Sequence, residues 1–283
     1  MTEWTTRAQR QAAARAEYEH IMTTGSPDPN GAYTESGVIG YVFGEMWRRG
    51  ILTPRDRRLI TLTCVGAAGS VTPIETHVYA ALKSGEIAYS DFDEFVLHFA
   101  TQAGWPKAAV MQMYGMAAMF KIAEERGEEL KPHDFELWAE PTQAAARRQR
   151  GAATYEQIHG ATAPEASTAY QGCARLDYLY GEIWSRQAHL TRRDRRIVTI
   201  CSAASATVDE EVTEHLRAAL ALGDMTRQEL EELVVHFAVY LGWNLARRLD
   251  DLLVRVAEEV GASLSGPPVH NDSMPNGRHT RNV

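Results

Sequence analysis

Two histidines at matched places are the first candidates for chemistry. His77 falls within the apolar stripe of Ile74, Val78, Ala81 and Leu82, and His215 falls in the same way among Val212, Leu216, Ala219 and Leu220. Imidazole titrates near neutrality, so partial burial on an apolar helix face would tune it as a proton carrier. A core histidine satisfied by its neighbours is the alternative for either residue alone. Most of the surrounding positions differ between the two segments while the ring is in both, which favours a role for the ring. Glu94 and His98 stand at i and i+4, and Glu232 and His236 repeat them, so carboxylate and ring share one helix face and the carboxylate could orient the ring. The alternative is a structural pair at the edge of the core. Glu45 and Glu182 lie in GExW beside Trp47 and Trp184, where desolvation by the indole would raise a carboxyl into the range of a working acid or base. Capping a helix or pairing with Arg58 is the other possibility. The pairs Arg57–Arg58 and Arg195–Arg196 follow Asp56 and Asp194 and read as a solvated or interfacial salt-bridge cluster; the lesser reading makes one of them a clamp for a substrate carboxylate.

These residues are positioned by a repeat. GEMW at 44–47 returns as GEIW at 181–184, and DRR, HxxAAL and HFAxxxGW follow in the same order in both halves. Residues 53–105 align with 191–243 without a gap and share 19 of 53 positions, too many for unrelated segments. Each half starts with a basic helical stretch, RQAAARAEYEHI at 10–21 and RRQRGAATYEQI at 147–158. The boundary is therefore set near residue 140, giving repeats 1–140 and 141–264 and a tail, 265–283, whose Pro, Gly, Asn, Asp and Ser content predicts disorder or ordering only by a neighbouring subunit.

Local signals predict helices almost throughout. Thr53, Pro54 and Asp56 mark a helix start, Thr72, Pro73 and Glu75 form a capping-box pattern, and Ser90 and Thr226 open further helices. Gly85, Gly104, Gly223 and Gly242 mark helix ends, and 106–126 and 244–261 keep helical apolar spacing. No segment reads convincingly as a strand; Tyr41–Phe43 is ambiguous. The expected fold class is all-α, two tandem helical repeats.

Composition narrows the function classes. The net charge of -8 comes from intermixed acids and bases, without the basic face that nucleic acid requires. No apolar run approaches the ~20 residues of a membrane span, and the first twenty residues are charged throughout, so neither membrane nor secretion is expected. Cys64, Cys173 and Cys201 are odd in number and lack CxxC spacing, which predicts reduced thiols and a cytoplasmic protein. No HExxH, Walker loop or strand-linked GxGxxG occurs, so neither a metal nor a nucleotide cofactor is expected.

Taken together, GExW, LTxRDRR, HxxAALxxG and HFAxxxGW resemble the carboxymuconolactone decarboxylase family, which includes alkylhydroperoxidase D. The resemblance spans both halves and implies an all-helical protomer that assembles as a ring; a tandem chain would imitate a hexamer as a homotrimer. The peroxidase branch carries CxxCxxxH with a Glu twelve residues before the first Cys. Here Ser70, Pro73 and Arg58 stand at those positions in the first half and Val208, Glu211 and Arg196 in the second, so thiol peroxidase chemistry is excluded. The decarboxylase branch remains. It implies cofactor-independent loss of carbon dioxide from a small carboxylated lactone or keto acid, with His77 and His215 as proton donors and Glu45 and Glu182 as their acid/base partners. His98, His236, Trp47, Trp184, Arg58 and Arg196 would line the substrate pocket. An isomerase or cyclase running proton transfer on the same scaffold, or a ring-forming ligand-binding protein without catalysis, are the alternatives. Asn244 stands where the first half has Pro106, so the second pocket departs from the pattern.

Overall fold

The computed structural model describes residues 6–130 and 132–262, and within them every regular element is a helix. The expected disorder of 265–283 concerns residues outside that range. The first half runs through α1 (Arg7–Met22), a π-helix π1 (Tyr33–Met46), α2 (Pro54–Ala68), α3 (Val71–Ser84), α4 (Tyr89–Ala103) and α5 (Trp105–Arg126). The second half repeats the order as α6 (Ala144–His159), π2 (Tyr170–Trp184), α7 (Arg192–Ser205), α8 (Asp209–Ala221), α9 (Arg227–Leu241) and α10 (Trp243–Glu259).

The helix starts follow their local chemistry with two corrections. Thr53 and Thr191 each accept from the backbone N–H three residues on, and Asp56 and Asp194 reach back to complete reciprocal caps; Thr226 and Glu229 do the same for α9. Pro54 occupies the first turn of α2, where its missing N–H costs nothing. The pattern at Thr72 does not form a cap: α3 begins one residue earlier, at Val71, and Thr72 lies inside its first turn. Likewise Tyr89, not Ser90, opens α4. The ambiguous Tyr41–Phe43 lies within π1, whose wider coil is closed by an i→i−5 bond from Trp47 N–H to Val42 O at 3.0 Å. Such coils are rare and usually a single turn; here one in each half ends at or just before the tryptophan of GExW.

The two halves share one interior. Buried residues of α2, α3, α4 and α5 belong to the same apolar cluster as those of α7, α8, α9 and α10, including Leu59, Phe95, Phe99, Ile197, Leu216 and Phe237. α2 packs on α7 and α9, and α4 packs on α7, so the arrangement is pseudo-twofold. Two reciprocal ion pairs mark the axis: Arg193 to Asp56 at 3.1 Å and Arg55 to Asp194 at 3.2 Å. Cys64 and Cys201 are buried free thiols, and Cys173 is an exposed one. Among the described residues no helix is long and apolar enough to cross a membrane.

The outer layer of each half is α1 on π1 or α6 on π2, and small residues set how closely they approach. A Cβ at Gly151 of α6 would lie 1.9 Å from the Leu176 carbonyl oxygen, and one at Gly181 would lie 2.6 Å from the Arg147 oxygen. In the first half Ala14 occupies the place of Gly151, and its Cβ would meet a Cβ at Gly44 at 3.0 Å. Gly151→Ala is therefore expected to push α6 off π2 and to cost about 1–3 kcal/mol, the usual range for overpacking against backbone. Urea unfolding of the variant checks this, and a midpoint equal to the parent's would refute the close approach.

Candidate functional site

In the second half π2 ends at Trp184, α7 brings Arg195 and Arg196, α8 brings His215, and the end of α6 brings His159. His215 is fully buried. Its Nδ1 faces Arg196 Nη1 at 3.1 Å, and because a guanidinium only donates, Nδ1 is the acceptor and Nε2 carries the proton. Nε2 then donates to Glu211 Oε1 at 3.2 Å. Trp184 stacks on the His215 ring at 5.3 Å and 11°. The His159 ring lies 5.0 Å from His215, and its Nε2 bonds Tyr180 Oη at 2.8 Å. Arg175 completes the group, 3.2 Å from Glu214 and 3.8 Å from Glu211. Burial lowers the pKa of His215, while the hydrogen bond and charge of Glu211 oppose it. His159 is pushed down to about 3, by burial first and then by the charges of His215 and Arg196. Burial raises the Glu211 carboxyl, but His215 and Arg175 outweigh it and hold the group low. The Glu211 side chain is 24% exposed, so it connects the buried ring to solvent.

The matched place in the first half is built differently. Met22, Val38, Phe43 and Pro73 stand where the second half has His159, Arg175, Tyr180 and Glu211. His77 has no carboxylate partner: burial, and then the charge of Arg58, push it down to about 3, and its Nδ1 is buried without a hydrogen-bond partner. Arg58 gives Nε to Glu86 and Nη2 to the Ile21 oxygen, both at 2.5 Å, and its Nη1 also lacks a partner, so the arginine-to-histidine bond of the second half has no counterpart. Tyr240 of α9 occupies the space. Its ring lies 5.3 Å from His77 and 5.5 Å from His236, and its Oη accepts from Trp47 Nε1 at 2.9 Å. Gln102 holds the matched position on α4.

Both places are crossed by an arm from the opposite half. Arg195 of α7 donates Nη2 to Glu94 at 2.7 Å and Nη1 to His98 Nδ1 at 3.3 Å, and His98 Nε2 faces Thr199 Oγ1 at 3.0 Å. Arg57 of α2 does the same with Glu232 at 3.2 Å and His236 at 3.1 Å, and His236 faces Thr61 at 2.9 Å. The Glu–His pairs at i and i+4 are thus joined through a guanidinium and not to each other. Burial, then the arginine charge, holds both rings well below the usual imidazole range. Both ring nitrogens of each are bonded to fully buried side chains.

The structure brings His215, Trp184, Arg196 and His98 together, and His236, Trp47 and His77 around Tyr240, with Arg58 over Trp47 at 5.1 Å. It does not join the GExW carboxylates to the histidines. Glu45 is 40% exposed and pairs with Arg10, and Glu182 is buried against Arg150 at 2.6 Å. The solvated reading of the arginine pairs is overturned: Arg57, Arg58, Arg195 and Arg196 are all buried, because each has carboxylate or carbonyl acceptors from another helix. Asn244 is exposed at the start of α10. His159, Arg175, Tyr180 and Glu211 are functional candidates that sequence reading passed over. The signal was present: each is a polar residue in one half at a place that is apolar in the other.

The model of the carboxymuconolactone decarboxylase family matches residues 34–113 and 173–254, once in each half and over more than half of the chain. The 4-carboxymuconolactone decarboxylase of Acinetobacter baylyi is 34% identical over 91 residues, covering 32% of this chain and 63% of that protein. The chain thus spans less than two thirds of that relative's length. Both copies of the family pattern fall on the helices that carry the tryptophan, arginine and histidine described above, and the chain belongs to the carboxymuconolactone decarboxylase family as a tandem duplication of its unit.

Proposed function

We propose that the chain is a cofactor-independent lyase that removes carbon dioxide from a small carboxylated lactone or keto acid, and that the second-half site runs the reaction. The observation that carries this reading is the hydrogen bond from His215 to Glu211, found in one half only. Decarboxylation breaks the bond between carbon and the carboxylate, and its electron pair enters a conjugated carbonyl as a dienolate. A proton must then reach carbon. The His215–Glu211 pair holds one exchangeable proton against Trp184, and partly exposed Glu211 renews it from solvent. Arg196 fixes the tautomer by donating to Nδ1. The similarity to a 4-carboxymuconolactone decarboxylase supports the substrate class. His77, pushed down to about 3 and without a carboxylate partner, is neutral at working pH and lacks the relay that Glu211 gives His215.

With 4-carboxymuconolactone as the test substrate and carbon dioxide release as the readout, His215→Asn and Glu211→Gln are each expected to lower kcat by at least about 100-fold, the usual worth of a positioned acid or base. His77→Gln is expected to leave kcat near the parent's. Loss of turnover in His77→Gln together with retention in Glu211→Gln would reverse the assignment of the working half.

The neutral state of His77 also has a thermodynamic signature. Its pKa is about 3 in the fold, and an unfolded histidine titrates near roughly 6.5, so between those values the unfolded chain binds the extra proton. Stability from this group is complete above the upper value and is lost as pH falls through the window, by up to about 1.4 kcal/mol per pH unit. His77→Gln should flatten the acid limb of Tm against pH, and an unchanged limb would show that the ring is already charged in the fold.

A further inference from the structure

A cavity of about 320 Å³ opens at the start of α7, walled by Trp184, Arg186, Arg192, Arg195, Thr191 and Ile158. Its volume is at the small end of ligand pockets, roughly 300–1,000 Å³. Trp184 and Arg195 are 2% and 1% exposed, yet the indole Nε1–H and the Arg195 Nε–H have no hydrogen-bond partner. A buried donor without an acceptor is unfavourable, and native interiors keep few of them. Here two belong to side chains that border the same space. The local charge matches them. Arg186 and Arg195 share Glu94, at 2.9 and 2.7 Å, and Arg192 and Arg196 share Asp224, at 2.7 and 2.8 Å. Four guanidiniums meet two carboxylates, a positive surplus among these six side chains in a chain of net charge -8.

The first half lacks this combination. Pro54 stands in the place of Arg192, and the Trp47 N–H is already taken by Tyr240. We propose that the cavity binds one small carboxylate anion per chain, its oxygens accepting from Trp184 Nε1–H and Arg195 Nε–H, with Arg186 and Arg192 supplying the field. Carboxylate binding does not depend on which reaction the His215 site runs. Its further role rests on the lyase reading: because Trp184 also stacks on His215, the bound group would be the carboxylate that the product retains.

Titration calorimetry of the full chain with succinate tests this, with dimethyl succinate and inorganic phosphate as comparison arms. Succinate is expected to bind saturably at one site per chain, dimethyl succinate not at all, and phosphate more weakly than succinate. Trp184→Phe, which keeps the ring and removes the N–H, and Arg192→Gln, at a partly exposed position, should each weaken succinate by on the order of 10-fold, the scale of a charge-assisted hydrogen bond. Circular dichroism confirms that both variants fold. Glu211→Gln should bind succinate as the parent does while losing turnover, which separates this site from the acid/base assignment. No saturable binding up to roughly 10 mM, phosphate preferred over succinate, or full affinity in both folded variants would each overturn the proposal.

Discussion

Two buried carboxylates, each held between two guanidiniums, are the interaction on which the rest depends. Glu94 of the first half meets Arg186 and Arg195 of the second, and Glu232 of the second meets Arg49 and Arg57 of the first. Burial lowers the pKa of Arg57 and Arg195 and the carboxylates oppose it, but a guanidinium stays protonated in either case. Removing one partner from such a group leaves a charge in the interior, a loss of about 3–5 kcal/mol. The halves therefore cannot separate without exposing or orphaning these charges, and neither half alone contains a complete site. The same arginines donate to Nδ1 of His98 and His236, so the network that joins the halves also sets the tautomer of two rings beside the tryptophans.

How much of this was legible in the residues depends on whether the cause was local. The duplication, the all-helical fold, the caps at Thr53 and Thr226, and the glycine stops follow from spacing within a few residues, and the structure has them. The cap expected at Thr72 fails because Ser70 already stands at the N-cap and the helix begins at Val71, a shift of two residues that the pattern does not encode. The π-helices were not legible, since their i→i−5 bonds leave no distinct apolar period. The burial of the arginines has a cause outside their own helices. A doublet of arginines after a capping aspartate looks like a wet helix start, but Arg57 and Arg195 run inward to Glu and His of the opposite half, and Arg58 and Arg196 to backbone oxygens of α1 and α6 in their own half. Glu45 and Glu182 were assigned by their neighbours in sequence, but their carboxylates are taken by arginines of α1 and α6, helices whose placement GExW does not signal.

The candidate site was half legible. His77 and His215 were found because both halves carry them, and a search for shared residues rewards what the scaffold needs in both places. It misses what distinguishes one place from the other. Glu211 against Pro73 and His159 against Met22 are invisible to such a search, yet they decide whether the buried imidazole has a carboxylate and a second ring beside it.

The exchange of arms between halves adds a constraint on how the two sites can diverge. The first-half site is lined by α9, which belongs to the second half, and the second-half site by α4, which belongs to the first. Tyr240 on α9 therefore fills the space beside His77 and takes the Trp47 N–H, while Gln102 at the matched place on α4 leaves the Trp184 N–H unpartnered. The residue that closes one site lies in the half that carries the other. A substitution there leaves the arginine arm, the threonine and the histidine on the frame untouched, so the frame keeps its stability while one of its two pockets changes character. Selection on a single polypeptide can then hold both arms, as the charge network requires, while the two pockets diverge.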